Sequence, residues 1–134
     1  MKRLLIVCTG NSCRSIMAEA LIKKELPDIA VKSAGSKPAK KINPNAKKVL
    51  EELGYWEDGF YPKSIETFLD ETFDLVVTVC DNAKESCPIL PKNIKHIHIG
   101  FEDPDGKDIE VFKECFNKIK NTLLPQISKL LIRL

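Results

Sequence analysis

Apolar residues follow two alternating patterns along this chain. Short, nearly continuous apolar runs at residues 2–8, 29–34, 73–79 and 94–99 predict four strands. Between and after these runs, apolar residues recur every three or four positions, as amphipathic helices require. This alternation predicts a parallel sheet, because successive parallel strands need a crossover connection, usually a helix, between them.

Residues that start and stop helices divide the periodic stretches. The first helix is predicted from residue 12 or 13 to about residue 26, where Pro27 ends it. A second helix is predicted to start at Asn43-Pro44 and to stop at Gly54. Ser64 is predicted to cap a short helix, and Asp108 is predicted to cap a long last helix. Pro125 is expected to kink or break that last helix.

The predicted fold class is therefore α/β. One domain over residues 1–134 should contain a doubly wound sheet of four parallel strands with helices on both faces, which makes three layers. No internal repeat or long linker divides the chain.

The composition predicts a folded domain without a nucleic-acid or membrane partner. Hydrophobic residues make up 43% of the 134 positions, charged residues make up 30%, and the net charge is +2, which is ordinary for a globular domain and too balanced for nucleic-acid binding. The apolar run near the N-terminus is too short for a signal peptide, and no stretch could span a membrane. We expect a cytoplasmic monomer. An odd number of cysteines, five, favours catalytic, redox or metal-binding roles for some of them over a structural disulfide framework.

The stretch from Cys8 to Ser15 lies between the first predicted strand and the first predicted helix. A helix N-terminus presents unpaired N–H groups and the positive end of the helix dipole, and both attract anions. Gly10 lets the backbone curl so that these N–H groups converge. The predicted oxyanion-binding residues are Thr9, Gly10, Asn11, Ser12, Cys13 and Arg14.

Three side chains of this stretch carry the predicted chemistry. The N–H groups, the helix dipole and Arg14 would stabilise a thiolate at Cys8, so the pKa of Cys8 should fall well below the free value of about 8.5. Arg14 can hold a tetrahedral oxyanion through two parallel hydrogen bonds, and Ser15 can donate to the thiolate. The stretch is thus predicted to combine a nucleophile with an oxyanion-binding cradle.

Two more chemical groups are expected at the same edge of the sheet. Cys80 ends the third predicted strand, and Asp103 follows the fourth by a few residues. The carboxyl ends of parallel strands form one ligand-binding edge. Alone, Asp103 in its Asp-Pro-Asp-Gly sequence would be a turn residue. Beside the cradle, it is predicted to be a general acid that gives a proton to the leaving oxygen.

The pattern Cys-x-Gly-Asn-x-Cys-Arg-Ser at residues 8–15 resembles the low-molecular-weight tyrosine phosphatases and their relatives, the thioredoxin-coupled arsenate reductases. The resemblance covers nearly the whole chain, from Leu4 to the last helix, and implies that Asp103 is the general acid. Cys80 and Cys87, with the sequence Cys-Pro-Ile-Leu-Pro, are similar to the redox segment of the arsenate reductases. The resemblance therefore favours that branch.

A relay of three cysteines is what this resemblance implies. Cys8 attacks arsenate, and Cys80 then attacks the Cys8 adduct, which releases arsenite and leaves a transient Cys8–Cys80 disulfide. Cys87 converts it into a Cys80–Cys87 disulfide that thioredoxin reduces, so no bound cofactor is expected. If residues 80–87 were helical, their end Cα atoms would lie about 10.5 Å apart, whereas a disulfide tolerates at most about 7 Å. The oxidised and reduced forms should therefore differ at residues 80–91.

Two other functions remain open at this stage. A low-molecular-weight phosphatase would need only Cys8, Arg14 and Asp103, although Asp105 stands where that branch usually has an aromatic residue for the substrate ring. A non-catalytic module that binds an oxyanion or a metal is the second alternative. Glutathione with glutaredoxin could also replace thioredoxin as the reductant.

Some arsenate reductases bind potassium near the cradle, through residues that match Asn11, Glu19 and Ser33 of this chain. The acidic partner expected after Ser64 is replaced by Ile65, which argues against a potassium site here. No other metal site is predicted. The two remaining cysteines, Cys13 and Cys115, are predicted to pack in the interior without a chemical role.

Overall fold

Four parallel strands form the sheet, in the order β2-β1-β3-β4. The structure, a computed structural model, describes residues 1–79 and 94–132. The strands are β1 (Lys2–Cys8), β2 (Ile29–Gly35), β3 (Leu75–Thr78) and β4 (Lys95–His98). This arrangement confirms the predicted fold class, with four parallel strands and, in the described residues, helices between β1 and β2, between β2 and β3, and after β4.

The two central strands are buried on both faces, as their continuous apolar sequence predicts. Every residue from Leu4 to Val7 is at most 1% exposed, and all four residues of β3 are buried. β3 is shorter than the predicted run over residues 73–79. Hydrogen bonds to β1 nevertheless continue beyond both ends of β3, since Asp74 and Val79 donate to carbonyl oxygens of β1 at 2.8 and 3.0 Å.

The helices begin and end at the residues that the sequence indicates. They are α1 (Arg14–Glu25), α2 (Pro44–Leu53), α3 (Ile109–Ile127), a 3-10 helix (Ile65–Phe68) and a π-helix (Ser128–Ile132). Asn43 caps α2 by accepting from two backbone N–H groups, and Gly54 ends α2 in the left-handed conformation at φ 81°. Asp108 and Ser64 likewise accept a backbone N–H at the start of their helices.

Pro125 does not break the last helix. α3 continues past Pro125 to Ile127 and then changes to the π-helix, in which the N–H of Ser128 donates to the carbonyl oxygens of Leu124 and Pro125. The apolar face stays buried through this change, at Leu123, Ile127 and Leu131. Burial of that face therefore outweighs the hydrogen bond that the proline removes, and the wider π-turn absorbs the irregularity.

The core lies between the sheet and the helices. α1 is buried around most of its circumference, from Ser15 to Ile22, and contacts both α2 and α3. On the sheet, Leu5 and Val76 line a small cavity together with Ile65 and Phe68 of the 3-10 helix. Within the described ranges, no helix is both long and apolar enough to cross a membrane.

Candidate active site

The loop between β1 and α1 encloses the sulfur atom of Cys8. Cys8 is 3% exposed, and its Sγ accepts a hydrogen bond from the backbone N–H of Asn11 at 3.1 Å. The hydroxyl of Ser15, in the first turn of α1, lies 2.8 Å from the same sulfur. A thiolate at Cys8 would thus be held by a backbone donor and a hydroxyl donor. We call residues 8–15 the cradle.

A second loop holds the carbonyl groups of the cradle. Residues 36–43, called here the flanking loop, donate four backbone N–H groups to it, at 2.8–3.1 Å: Ser36 to Cys8, Lys37 to Thr9, Ala39 to Gly10 and Asn43 to Ser12. The negative ends of these peptide dipoles therefore face the flanking loop. Curled segments of this kind, with their carbonyls occupied elsewhere, make anion-binding concavities from their N–H groups.

The left-handed residue of the cradle is Asn11, with φ 50°, and not Gly10. The sequence prediction assigned the curl to Gly10, and the structure corrects it. The side chain of Asn11 compensates for this unusual backbone conformation through three hydrogen bonds. Its Oδ1 accepts from the N–H of Lys63 at 2.9 Å, and its Nδ2 donates to the hydroxyls of Ser15 and Ser33 at 2.7 and 2.9 Å. Asparagine tolerates the left-handed conformation better than most residues do. This preference is the signal that could have identified Asn11 as the left-handed residue.

Arg14 connects the cradle to the loop that follows β4. Its Nη1 donates to the carbonyl oxygen of Phe101 at 2.9 Å, and its Nη2 lies 3.4 Å from Oδ2 of Asp103. The Arg14 side chain is mostly buried at 12% exposure, whereas that of Asp103 is 54% exposed. We call residues 100–107 the acid loop. The ion pair is open to solvent on the Asp103 side, so an incoming anion can replace that carboxylate at the guanidinium.

Asp105 and Asn43 orient the acid loop. Neither of them was assigned to the site from the sequence. Asp105 donates its N–H to Oδ1 of Asp103 at 3.0 Å, and its carboxylate accepts from Nδ2 of Asn43 at 2.8 Å. Asn43 also caps α2 and donates its N–H to the cradle at Ser12. The Asn-Pro helix start was visible in the sequence, but its reach to a loop 62 residues away was not.

The cradle and the acid loop enclose a cleft of about 220 Å³. Its described lining consists of Cys8, Thr9, Gly10, Asn11, Ser12, Cys13, Arg14, Asp103 and Asp105. The structure therefore brings together the predicted nucleophile, the predicted oxyanion-binding residues and the predicted general acid, with Ser15 buried beneath them. The chemical roles of these residues stay predictions.

Cys13 and Cys115 are buried, as predicted, at 5% and 6% exposure. Burial raises the pKa of the Cys13 thiol to about 12 and that of the Cys115 thiol to about 11. Both are therefore protonated at neutral pH and are poor nucleophiles.

The other two predicted site cysteines, Cys80 and Cys87, lie outside the described residues. The Cys8–Cys80 and Cys80–Cys87 disulfides, and the change predicted at residues 80–91, therefore stay predictions. The residue before Cys80 is described: the N–H of Val79 donates to the carbonyl oxygen of Val7 at 3.0 Å, next to Cys8 in the sequence.

The residues expected near a potassium ion do meet, but with a lysine among them. The hydroxyl of Ser33 donates to Oε1 of Glu19 and accepts from Asn11, while Nζ of Lys63 lies 3.8 Å from the same Glu19 oxygen. Ile65, where an acidic partner was expected, is buried and apolar. In residues 1–79 and 94–132, no group of three or more His, Cys, Asp or Glu side chains could hold a metal ion. This donor set does not fit potassium, because the ammonium group already supplies a positive charge beside Glu19.

Comparisons with known proteins agree with this geometry. The family model described as low molecular weight phosphotyrosine protein phosphatase matches residues 3–131. The chain is 39% identical over 122 residues to arsenate reductase 2 of Staphylococcus haemolyticus, which covers 91% of this chain and 93% of that protein.

Solved structures of both kinds of enzyme share the fold. An arsenate reductase in its phosphate-binding state has a TM-score of 0.79 at 32% identity, covering 97% of this chain and 99% of its own. A low molecular weight protein tyrosine phosphatase from T. tengcongensis has a TM-score of 0.82 at 31% identity, covering 97% and 100%. This chain belongs to the low molecular weight phosphotyrosine protein phosphatase family.

Proposed function

We propose that this protein is an arsenate reductase that uses Cys8 as the nucleophile and Cys80 and Cys87 as a redox relay. The observation that carries the proposal is the lining of the cleft. Among the described residues, this lining offers two thiols, backbone amides, a guanidinium and two carboxylates, and it contains no aromatic ring. A small inorganic oxyanion suits such a lining, whereas the ring of an aryl ester would lack an apolar contact. The identity to arsenate reductases supports the same function.

The first step uses the cradle and the acid loop. The oxyanion competes with Asp103 for Arg14, whose Nε is buried and has no hydrogen-bond partner among the described residues. The sulfur of Cys8 attacks the arsenic atom, and an As–O bond breaks. The leaving oxygen departs as water after it takes a proton from Asp103, and the arsenic remains bound to Cys8 as As(V). Ser15 and the N–H of Asn11 hold the sulfur in place before the attack.

The second step is the reduction. The thiolate of Cys80 attacks the sulfur of Cys8, the S–As bond breaks, and its electron pair stays on arsenic, which leaves as arsenite, As(III). The two sulfurs are oxidised to the Cys8–Cys80 disulfide. Cys87 then attacks Cys80, which frees Cys8 as a thiolate and leaves the Cys80–Cys87 disulfide. Two electrons from a dithiol reductant restore the two thiols.

Thioredoxin is the proposed source of these electrons, so the enzyme needs no bound cofactor. This assignment follows the arsenate reductase resemblance of the sequence around Cys80 and Cys87. A reducing, cytoplasmic location is part of the same proposal, because a disulfide that forms and breaks in each turnover needs a thiol reductant nearby. We also propose that the protein acts as a monomer.

A phosphatase is the second candidate, because Cys8, Arg14 and Asp103 are the groups that phosphoester hydrolysis would need. The T. tengcongensis phosphatase has a fold as similar to this chain as that of the arsenate reductase. Fold similarity alone therefore does not separate the two activities. We propose arsenate reduction as the main activity and weak phosphatase activity as a consequence of the shared cradle.

The test is arsenate-dependent NADPH oxidation in the presence of thioredoxin and thioredoxin reductase. The wild type should turn over, and the Cys80→Ser and Cys87→Ser variants should not. Cys115→Ala is the matched control, because that thiol is buried outside the cleft and should leave turnover unchanged. No turnover in the wild type, together with p-nitrophenyl phosphate hydrolysis that survives both serine substitutions, would identify a phosphatase instead.

A further inference from the structure

We propose that the ammonium group of Lys63 serves as a cation built into the fold. It stabilises the side chains that hold the Cys8 cradle in its anion-binding form, which are Glu19, Ser33, Asn11 and Ser15. The site would then work without a monovalent metal ion. This inference rests on the proposed function only in taking Cys8 as the nucleophile. Lys63 is thereby assigned as a positioning residue, since it acts on the sulfur through other side chains.

A continuous set of buried contacts joins Lys63 to the sulfur. Nζ of Lys63 lies 3.8 Å from Oε1 of Glu19, which accepts from the hydroxyl of Ser33. Asn11 donates one amide hydrogen to Ser33 at 2.9 Å and the other to Ser15 at 2.7 Å. Ser15 lies 2.8 Å from the Cys8 sulfur.

The donors and acceptors of this set fix the direction of every bond. An ionised Glu19 can only accept, so Ser33 must donate to it and can only accept from Asn11. Because both amide hydrogens of Asn11 are then used, the Ser15 hydroxyl accepts from Asn11 and keeps its own hydrogen for the sulfur of Cys8. The direction of the bond from Asn11 to Ser15 is set by the amide itself, which can only donate through Nδ2. An ionised Glu19 acts on position instead, because it holds the Ser33 hydroxyl that receives the second amide hydrogen of Asn11.

Burial makes the charge of Glu19 depend on Lys63. The side chains of Glu19 and Lys63 are 10% and 9% exposed. Burial raises the pKa of Glu19 and lowers that of Lys63, while each opposes the change in the other. A buried carboxylate that loses its partner either takes up a proton or draws in another cation. Lys23 and Lys32 also face Glu19 electrostatically, but both are exposed and so are weakened by solvent.

Lys63 is placed to act on the cradle through its backbone as well. Its N–H donates to Oδ1 of Asn11 at 2.9 Å, which fixes the orientation of the amide. A substitution at position 63 keeps this backbone bond and removes the ammonium group, together with its hydrogen bond to the carbonyl oxygen of Tyr61 at 2.7 Å. The effect of the charge can therefore be measured while Asn11 keeps its other contact.

The experiment measures the rate at which iodoacetamide alkylates Cys8, as a function of pH. The full chain carries Cys80→Ser and Cys87→Ser, so that neither relay thiol reacts. Lys63→Met should lower the rate at pH 7 by at least about ten-fold, as the loss of a supporting partner commonly does. The control Lys32→Met removes an exposed lysine that lines the same surface pocket as Glu19 and Lys63, and it should change the rate by less than about two-fold.

A double variant separates this role from a general loss of folding. Glu19→Gln together with Lys63→Met removes both charges, and glutamine still offers an oxygen to Ser33. Its rate should return to within about three-fold of the background protein, because no buried charge is left unpaired. In the background protein, replacing tetramethylammonium chloride by KCl at equal ionic strength should change the rate by less than about two-fold.

Each outcome bears on one proposal. If Cys8 in the background protein reacts no faster than a free thiol, the proposed nucleophile is wrong. If it reacts fast and Lys63→Met reacts as fast, the role of Lys63 is wrong while the proposed function stands. A ten-fold increase in the alkylation rate of Cys8 in the background protein on addition of KCl would also overturn the role of Lys63, because a metal ion would then supply the positive charge.

Discussion

Replacing Gly35 with alanine would test how closely the cradle packs against the end of β2. Gly35 lies opposite Cys8 in the sheet register. A Cβ atom at position 35 would lie 2.4 Å from the carbonyl oxygen of Thr9 and 3.1 Å from the backbone nitrogen of Asn11. Both are backbone atoms of the cradle, so rotation of a side chain cannot relieve these contacts. Gly35→Ala should therefore displace the cradle itself.

The expected effect can be worked from this overlap. Non-bonded carbon atoms pack at about 3.5 Å, so the carbonyl of Thr9 would have to move by about 1 Å. Overpacking of this kind costs about 1–3 kcal/mol, whereas the lower entropy of the unfolded alanine chain offsets only about 0.4–1 kcal/mol. We expect a net destabilisation of about 1–2 kcal/mol. A 1 Å displacement of reacting groups can also lower the reactivity of Cys8 by about 10²-fold.

Urea unfolding and the rate of Cys8 alkylation would measure the two effects. The matched control is Gly10→Ala, because Gly10 belongs to the motif yet has room for a methyl group. Its Cβ would meet only the Ser12 hydroxyl at 3.4 Å and the Ala39 methyl at 4.0 Å. That control should not destabilise the protein, and the lower entropy of its unfolded chain should raise the free energy of unfolding by up to about 1 kcal/mol. Equal stability of the two variants, with Cys8 equally reactive in the Gly35 variant and the wild type, would refute the packing argument.

Three further predictions concern the groups around the cleft. Arg14→Lys keeps the charge but loses the planar fork, so phosphate should protect the nucleophile from alkylation at least about ten-fold less well. Asn43→Ala removes the cap of α2 and the bond to the acid loop; urea unfolding should show a loss of about 0.5–2 kcal/mol, and unchanged stability would contradict the cap. Because burial raises the pKa of Cys13 to about 12 and that of Cys115 to about 11, peptide mass mapping at pH 8 should find neither labelled by iodoacetamide in the folded protein.

The parts of the fold that depend on local sequence could be predicted closely. The strand patterns, the cap at Asn43 and the glycine end of α2 each follow from a few neighbouring residues. The break that the sequence allowed at Pro125 does not occur, because the effect of this proline depends on distant packing. The hydrogen bond that the proline removes is a local cost. The apolar face of α3 and the π-helix packs in the core, and this distant packing outweighs that cost.

The placement of the candidate site was predictable from the motif and the strand order. Cys8, Arg14 and Asp103 line one cleft because the carboxyl ends of parallel strands meet at one edge. The support of the cradle was not predictable, since Lys63 is 52 positions from Asn11 and nothing in its local sequence indicates burial. Long-range contacts of this kind are decided by the fold, which the motif does not encode.

The structure also accounts for how one fold can serve two reactions. The backbone bonds that shape the cradle come from the flanking loop, Asn11 and Lys63, and none of them involves the groups that would select a substrate. We propose that substrate choice depends instead on the residue at the rim, where Asp105 lines the cleft, and on whether cysteines follow β3 in the sequence. A phosphatase and a reductase can therefore share the nucleophile and the arginine while they differ at the rim and in the chain after β3. In this protein both differences favour the reductase, because a carboxylate stands at the rim and two cysteines follow the strand next to Cys8.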